Sequence, residues 1–339
     1  MYETFFGLRE SAFNVNPDPR YFFLTPVMRE ALAGLAYGVQ KRKGIVLLTG
    51  EVGTGKTTLL NQLLEWLRQN QAATAFVFNT RLSVDDLFNY ILTDFGISCG
   101  SRSKSDMLIR LNNWLLDRYT AGAGQPAVLI VDEAQNLSPE LLEEIRLLTN
   151  LETSSEKLLQ IILSGQTELE LKLRNPMLRQ LRQRITLRYK TSQLSSAETR
   201  SYIEERLRIA GASGEPIFSP EAIETIHKYA RGVPRVINVL CDHALINALA
   251  ERQKPVSAGL VREVAREFEL DLIAPIAPAV SSGVPESEAA SVIQAMLAVM
   301  ARAAASFSPS GSMLKDFNRR DEGNGSSVPA WVGSEEPKI

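Results

Sequence analysis

One short stretch constrains this chain more than any other: GEVGTGKTT, Gly50 to Thr58, set between a β-branched apolar run, GIVLLT, and a leucine-rich helical segment. It fits G-x-x-x-x-G-K-[ST] with Gly50, Gly55, Lys56 and Thr57 at the fixed positions, in the strand-then-helix context that the pattern requires. The chemistry explains the residue types. Main-chain N–H groups from Gly50, Glu51, Val52, Gly53, Thr54, Gly55, Lys56, Thr57 and Thr58 close around a phosphate only where side chains stay clear, and the helix that follows points its positive end at the same place. Lys56 offers a cation to the β- and γ-phosphates, and Thr57 offers a hydroxyl to Mg²⁺. The implied ligands are ATP and Mg²⁺. A glycine-rich turn with a chance lysine is the bland alternative, and the flanking strand and helix weigh against it.

A second feature sits on a second apolar run, AVLIVDEAQN. It places Asp132 and Glu133 at the C-terminal end of a buried strand, where open parallel sheets bind ligands. Asp132 is expected to hold Mg²⁺, directly or through water, and Glu133 to act as general base on the attacking water. Two solvated acids at a strand end would look the same in isolation. Downstream of a phosphate loop the functional reading is the stronger.

Around these motifs, short apolar runs alternate with helical patterns. Strands are expected at 44–49, 75–79, 127–131, 159–163 and 185–189, and helices at 26–40, 56–69, 83–95, 105–119 and 138–151, where Ser138 is the N-cap and Pro139 the first residue. Strands separated by helices imply an α/β fold, a P-loop parallel sheet with helices on both faces. After Leu194 only helical patterns remain. Ser195-x-x-Glu198 is a capping box, Ser219-Pro220 and Pro234 open further helices, and a last one spans 257–270. The expected domains are therefore an aromatic and proline-rich lead-in at 1–43, the P-loop core at 44–193, a small helical lid at 194–271, and a Pro/Ala/Ser linker with an amphipathic helix and a tail at 272–339.

Composition narrows the partners. The formal net charge is -2, so the whole chain does not advertise nucleic-acid binding. Cys99 and Cys241 lack neighbours at metal spacing and read as free thiols, and neither His227 nor His243 has a metal-ligating partner, so no structural metal is expected. The start, MYETFFGLRE, is unlike a signal peptide. Residues 289–307 are apolar but interrupted by Gln294 and Arg302, which favours a docking amphipathic helix over a membrane span.

Taken together, GEVGTGKTT, VLIVDEAQNLS, LQIILSGQTEL, LRQRITLRY and GVPRVIN, with the opening MYETFFGLRESAFNVNPDPRYFF, resemble the AAA+ ATPases of the general secretion pathway protein A (ExeA-like) group over residues 1 to 270. The resemblance implies ATP hydrolysis by a homo-oligomer, a ring or filament, that serves membrane-embedded or envelope export proteins in type II secretion, pilus biogenesis or exosortase-linked exopolysaccharide export. It also implies roles for further residues. Gln166 is the expected sensor 1, with Ser164 as competitor. Arg184 is the expected arginine finger acting on a neighbour's ATP, with Arg179 and Arg182 as alternatives. Arg235, in GVPR, resembles sensor 2. The N-terminal aromatics are expected on the adenine side, with Phe5, Phe6 and Phe13 read rather as core. Longer members carry a transmembrane helix and a peptidoglycan-binding domain that this sequence does not show. The expected location is therefore the cytoplasm, peripheral to the inner membrane. A more distant AAA+ branch, the TnsC/TniB-like regulators of transposition, supplies the alternative of a DNA-targeting switch, supported by the basic cluster Arg174, Arg179, Arg182, Arg184, Arg188 and Lys190. A small-molecule kinase is the third reading, disfavoured by the acidic pair and the helical domain.

Overall fold

The computed structural model describes residues 2–270 apart from 15–17, 79–81, 99, 101–102 and 122–124. The expectations for Cys99 and for the linker, amphipathic helix and tail lie outside the described residues.

Five strands, β1 (Ile45–Thr49), β2 (Ala73–Val77), β3 (Ala127–Val131), β4 (Leu159–Gly165) and β5 (Ile185–Lys190), form one sheet in the order β2-β3-β4-β1-β5. Every pairing is parallel. The inner strands β1, β3 and β4 are buried along their whole length, which is why they read as continuous apolar runs rather than alternating ones. Edge strand β2 is only half buried. Its weak periodicity explains why it begins at Ala73, earlier than the expected Ala75.

The helices in chain order are α1 (Tyr2–Phe6), α2 (Pro26–Gln40), α3 (Lys56–Gln69), α4 (Val84–Asp94), α5 (Lys104–Thr120), α6 (Pro139–Leu148), α7 (Thr167–Leu173), α8 (Arg179–Arg184), α9 (Ser196–Ile209), α10 (Pro220–Ala230), α11 (Pro234–Ala250) and α12 (Ala258–Glu267). Several start where their caps dictate. Ser138 Oγ accepts from the Leu141 N–H, and Ser195 and Glu198 close a reciprocal capping box. Helix α6 stops at Leu148, short of the expected Leu151, because the Thr149 hydroxyl turns back to donate to the Arg146 carbonyl at 2.6 Å.

Two hydrophobic cores result. One packs sheet residues such as Leu47, Leu129 and Ile161 against Leu87, Phe88, Leu111 and Ile145 from α4, α5 and α6. The other gathers α9 to α12 around Ile203, Ile226, Leu240 and Val261, and takes in Tyr2, Phe6, Leu8 and Phe13 from the start of the chain. The Tyr2 hydroxyl donates to Asp242 Oδ1 at 2.5 Å. The first residues are thus part of the helical body rather than a free lead-in. Cys241 is a buried free thiol within that core.

Candidate functional site

Parallel pairing aligns the C-terminal ends of three strands. Thr49 lies opposite Gly165, and Val131 opposite Leu163, so the loops leaving β1, β3 and β4 emerge side by side. A cavity of about 420 Å³ opens above them, and its lining includes Gly53, Gly55, Lys56, Thr57, Thr58, Glu133, Arg206, Arg235 and Asn238.

The loop from Gly50 to Thr58 is shaped by close approach. A Cβ on Gly50 would stand 1.9 Å from Thr191 Oγ1. Gly53 and Gly55 have φ of 78° and 95°, the left-handed region that side chains avoid, and Gly55 serves as the N-cap of α3. The result is a concave run of backbone amides, with Val52 exposed at its rim and Thr54 buried beneath. Thr54 Oγ1 donates to the Glu51 carbonyl at 2.8 Å and lies 2.7 Å from Thr191 Oγ1. The Glu51 carboxylate accepts from Gln193 Nε2 at 2.7 Å. Lys56 folds back into the loop. Its Nζ donates to the Gly50 and Glu51 carbonyls, both at 2.9 Å. Burial pulls the Lys56 ammonium below the ordinary lysine range, against the opposing pull of Glu133 and Asp132.

The acidic pair is held differently at each member. Asp132 is buried and accepts three hydrogen bonds: Oδ2 accepts from the Thr57 hydroxyl at 3.1 Å, while Oδ1 accepts from the Ser164 hydroxyl at 2.7 Å and from the Glu133 N–H at 3.0 Å. Glu133 has φ 52° and ψ 35°, a left-handed backbone that costs a non-glycine residue on the order of 1–3 kcal/mol. Its Oε2 accepts from Gln135 Nε2 at 2.5 Å and Gln166 Nε2 at 3.1 Å, and Gln135 Oε1 in turn accepts from the Gln166 N–H at 3.0 Å. Gly165 leaves room for this, since a Cβ there would stand 2.8 Å from Gln135 Oε1. Of the two sensor-1 candidates, Gln166 touches Glu133 and Ser164 touches Asp132.

Arg235 lines the cavity, and its N–H donates to the Gly53 carbonyl at 3.3 Å, tying the first turn of α11 to the phosphate loop. Arg184 is not brought to the cavity. It is exposed at the end of α8, donates to Asn150 Oδ1 at 3.4 Å, and immediately precedes Ile185, which pairs with Ile45 at the opposite end of β1 from Gly50. Phe6 and Phe13 are core, whereas Tyr21, Phe22, Phe23 and Met28 line the cavity.

The donor set suits the ligands that the sequence implies. A hydroxyl and a carboxylate 3.1 Å apart offer the hard oxygens that Mg²⁺ takes. The glycine-lined amides offer an anion cradle.

Residues 39–173 match the AAA domain family. With the strand order and the helical bundle after the sheet, that decides the architecture. This is an AAA+ P-loop fold. Along 269 residues the chain is 44% identical to General secretion pathway protein A of Aeromonas hydrophila, a match covering 79% of this chain and 48% of that protein. The chain thus spans about half the length of that relative. Among solved structures, the ORC2 protein of Aeropyrum pernix in its ADPNP-ADP complexes aligns with a TM-score of 0.57 at 18% identity, over 76% of this chain and 71% of that one. Cdc6p from Pyrobaculum aerophilum aligns with a TM-score of 0.56 at 18% identity, over 77% and 72%. A Thermotoga maritima RuvB variant gives 0.51 at 16% identity, over 77% and 74%. At such identities the likeness speaks for the fold alone.

Sequence reasoning missed Tyr202, Arg206, Asn238, Gln135 and Thr191 around this AAA+ cavity. One of them left a trace. On α9, Thr199, Tyr202, Ile203, Arg206 and Leu207 share the buried face, so Arg206 is an arginine at a core position of the helical pattern. Gln135 and Thr191 act through loops and leave no periodic signal.

Proposed function

We propose that this chain is an ATP hydrolase that works as an assembly of its own copies and energises or regulates a cell-envelope secretion or export system. The observation that carries the reading is that Lys56, Thr57 and Glu133 line one cavity with Gly53 and Gly55, while Asp132 accepts from the Thr57 hydroxyl. In it the loop amides and Lys56 bind the phosphates, and Lys56 must first leave the Gly50 and Glu51 carbonyls that it now occupies. Thr57 and Asp132 would hold Mg²⁺, which would supply charge neutralisation to the phosphates when bound. Ser164 and the Glu133 N–H fix the Asp132 carboxylate. Glu133 takes the proton of the attacking water, and Gln166 sets where its carboxylate points.

Arg235 joins the helical lid to the phosphate loop, so lid angle and nucleotide state are coupled. Arg184 lies far from its own cavity and exposed, which suits a finger inserted into a neighbour's site; Arg179 and Arg182, also exposed on α8, are the alternatives. The secretion role rests on the similarity to general secretion pathway protein A, and the cytoplasmic, inner-membrane-peripheral location goes with it. No helix among the described residues is long and apolar enough to cross a membrane.

The test is ATP turnover as a function of protein concentration. Specific activity is expected to rise steeply with concentration, and Arg184→Ala to abolish that rise while leaving nucleotide binding intact. A flat specific activity over a wide dilution range removes the assembly from the proposal.

A second reading, an ATP-dependent DNA-targeting regulator, is favoured by one observation: Arg174, Arg179, Arg182, Arg184, Arg188 and Lys190 are all exposed on the side of the sheet that ends in edge strand β5. It requires duplex DNA binding that appears with ATP and weakens linearly on a log–log salt plot.

A further inference from the structure

The cavity has a second end, on the adenine side where the N-terminal aromatics are expected, and the last residue of GVPRVIN, Asn238, stands there. It is lined by Tyr21, Phe22 and Phe23 together with Tyr202, Arg206 and Asn238 of the helical body, the Phe23 and Tyr202 rings meeting edge to face at 5.6 Å. The Arg206 guanidinium is almost wholly buried and lies 4.6 Å from the Tyr21 ring centroid. Its Nε donates to the Ala12 carbonyl at 2.6 Å and its Nη1 to the Tyr202 hydroxyl oxygen at 3.0 Å. The Tyr202 oxygen lies 2.9 Å from Asn238 Oδ1.

Hydrogen-bond chemistry gives this chain a direction. A guanidinium only donates. Tyr202 therefore accepts from Arg206, and its single hydroxyl hydrogen has Asn238 Oδ1 as acceptor. With Oδ1 engaged in that way, the amide orientation is set, and Asn238 Nδ2 carries two N–H donors that no atom of the described residues accepts. Asn238 is only 7% exposed and faces the cavity. It sits one helical turn beyond Arg235, so it follows the phosphate-loop contact along the same face of α11.

We propose that Asn238 is the residue that reads the nucleotide base, its Nδ2 donating to a ring-nitrogen acceptor on the edge of a purine held against Tyr21, Phe22 and Phe23. Arg206 and Tyr202 are positioning residues: they lock the amide with its donors toward the ligand. A purine suits the site because its faces are apolar and its edge carries unprotonated ring nitrogens that accept from an amide N–H. This inference rests on the nucleotide reading above.

Asn238→Asp is the cleanest test. It keeps the shape and the acceptor for Tyr202, removes the donor and adds a negative charge, whose effect on the phosphates the tripolyphosphate arm reads separately. Binding is measured by titration calorimetry with ATP, with the 1-, 3- and 7-deaza analogues that each lack one ring nitrogen, and with inorganic tripolyphosphate as a base-free ligand. In the wild type, one of the three deaza analogues is expected to bind about three- to tenfold more weakly than ATP, the loss of one net hydrogen bond. Asn238→Asp is expected to lose at least as much with ATP, to show no further loss with that analogue, and to bind tripolyphosphate as the wild type does. Equal binding of all three analogues and ATP by the wild type overturns the proposal without recourse to any variant. So does a variant that weakens tripolyphosphate as much as ATP, because the loss then falls on the phosphates and not on the base. A wild type that binds tripolyphosphate no more weakly than ATP has no base contact at all, and one that binds neither ligand brings down the nucleotide reading itself.

Discussion

The two ends of the cavity are built on different plans. At the phosphate end, every group stands at the exit of a strand or on the helix that follows one, and each carboxylate is met directly by neutral side-chain donors: Thr57 and Ser164 on Asp132, Gln135 and Gln166 on Glu133. At the base end, three segments far apart in the chain converge, and a buried cation is satisfied by carbonyls and a phenol rather than by an acid. The first end inherits its rigidity from the inner strands. The second holds only while the N-terminal residues, α9 and α11 stay docked. Substitutions at the phosphate end should therefore change chemistry while sparing the fold, and those at the base end should change docking and affinity while sparing the chemistry.

The largest effect is expected at Glu133. Glu133→Gln keeps an acceptor for Gln135 and Gln166 but removes the base, so kcat should fall by about 10²–10⁴ with nucleotide affinity near wild type. Steady-state turnover beside a binding titration checks both halves. Turnover equal to wild type would take the general-base role from Glu133, and lost binding would show that this residue holds the loop as well.

Next in size is Gly232, where the helical body joins the sheet. Its φ is 72°, and a Cβ would stand 1.9 Å from the Leu194 carbonyl oxygen, in backbone that Leu194 and Gly232 already share through an N–H to carbonyl bond of 2.8 Å. Gly232→Ala is expected to cost about 2–4 kcal/mol from the strained φ and the clash together. Urea unfolding measures it. Because Leu194 lines the cavity, nucleotide binding should weaken in parallel. Full destabilisation with unchanged affinity would separate the hinge from the site.

Arg206→Leu sharpens the contrast further. It leaves the Ala12 and Asn14 carbonyls and the Tyr202 hydroxyl without their donor, a loss of about 1–3 kcal/mol. Amide hydrogen exchange should quicken in residues 2–14 and in α9 while β1, β3 and β4 keep their protection. Equal acceleration in the inner strands would mean that the two ends open as one cooperative unit.

The same contrast governs what was legible in the sequence. Lys56, Thr57, Asp132 and Glu133 stood out because a phosphate cradle and a strand-end carboxylate demand fixed residue types at fixed local spacing. The strands and capped helices were legible for a similar reason: burial on two faces gives continuous apolar runs, and Ser195 with Glu198 or Ser138 with Pro139 marks a helix start locally. The base end was illegible because its defining contacts are long-range. Arg206 bonds a carbonyl at residue 12, and a carbonyl acceptor carries no side-chain identity for a sequence to display. The aromatics were visible as a group, with Phe6 and Phe13 read as core, and packing adds which of them, Tyr21, Phe22 and Phe23, stand on the cavity wall. Edge strand β2 was misplaced because half-burial blurs its pattern.

The smallest effect should be a pH dependence that belongs to the helical side. His227 on α10 lies with Nδ1 2.8 Å from Thr199 Oγ1, and burial holds its pKa below the ordinary 6.5. The sign follows from proton counting. Above 6.5 the ring is neutral whether the chain is folded or not, so it contributes nothing. Below 6.5 the unfolded chain takes up a proton that the folded chain resists, so folding stability declines as pH falls through the window between 6.5 and the lower folded value. The carboxylates that lose stabilising partners on acidification, such as Asp18 beside Arg20 and Glu205 beside Arg208, are held below the carboxylate range and act at lower pH. His227→Gln keeps a hydrogen-bonding partner for Thr199 and removes the titration. Urea unfolding between about pH 5 and 8 should therefore give a flatter profile for the variant than for the wild type. Identical slopes would mean that the ring opens to water and charges without loss, and that the helical body is less firmly packed around α10 than the contact with Thr199 implies.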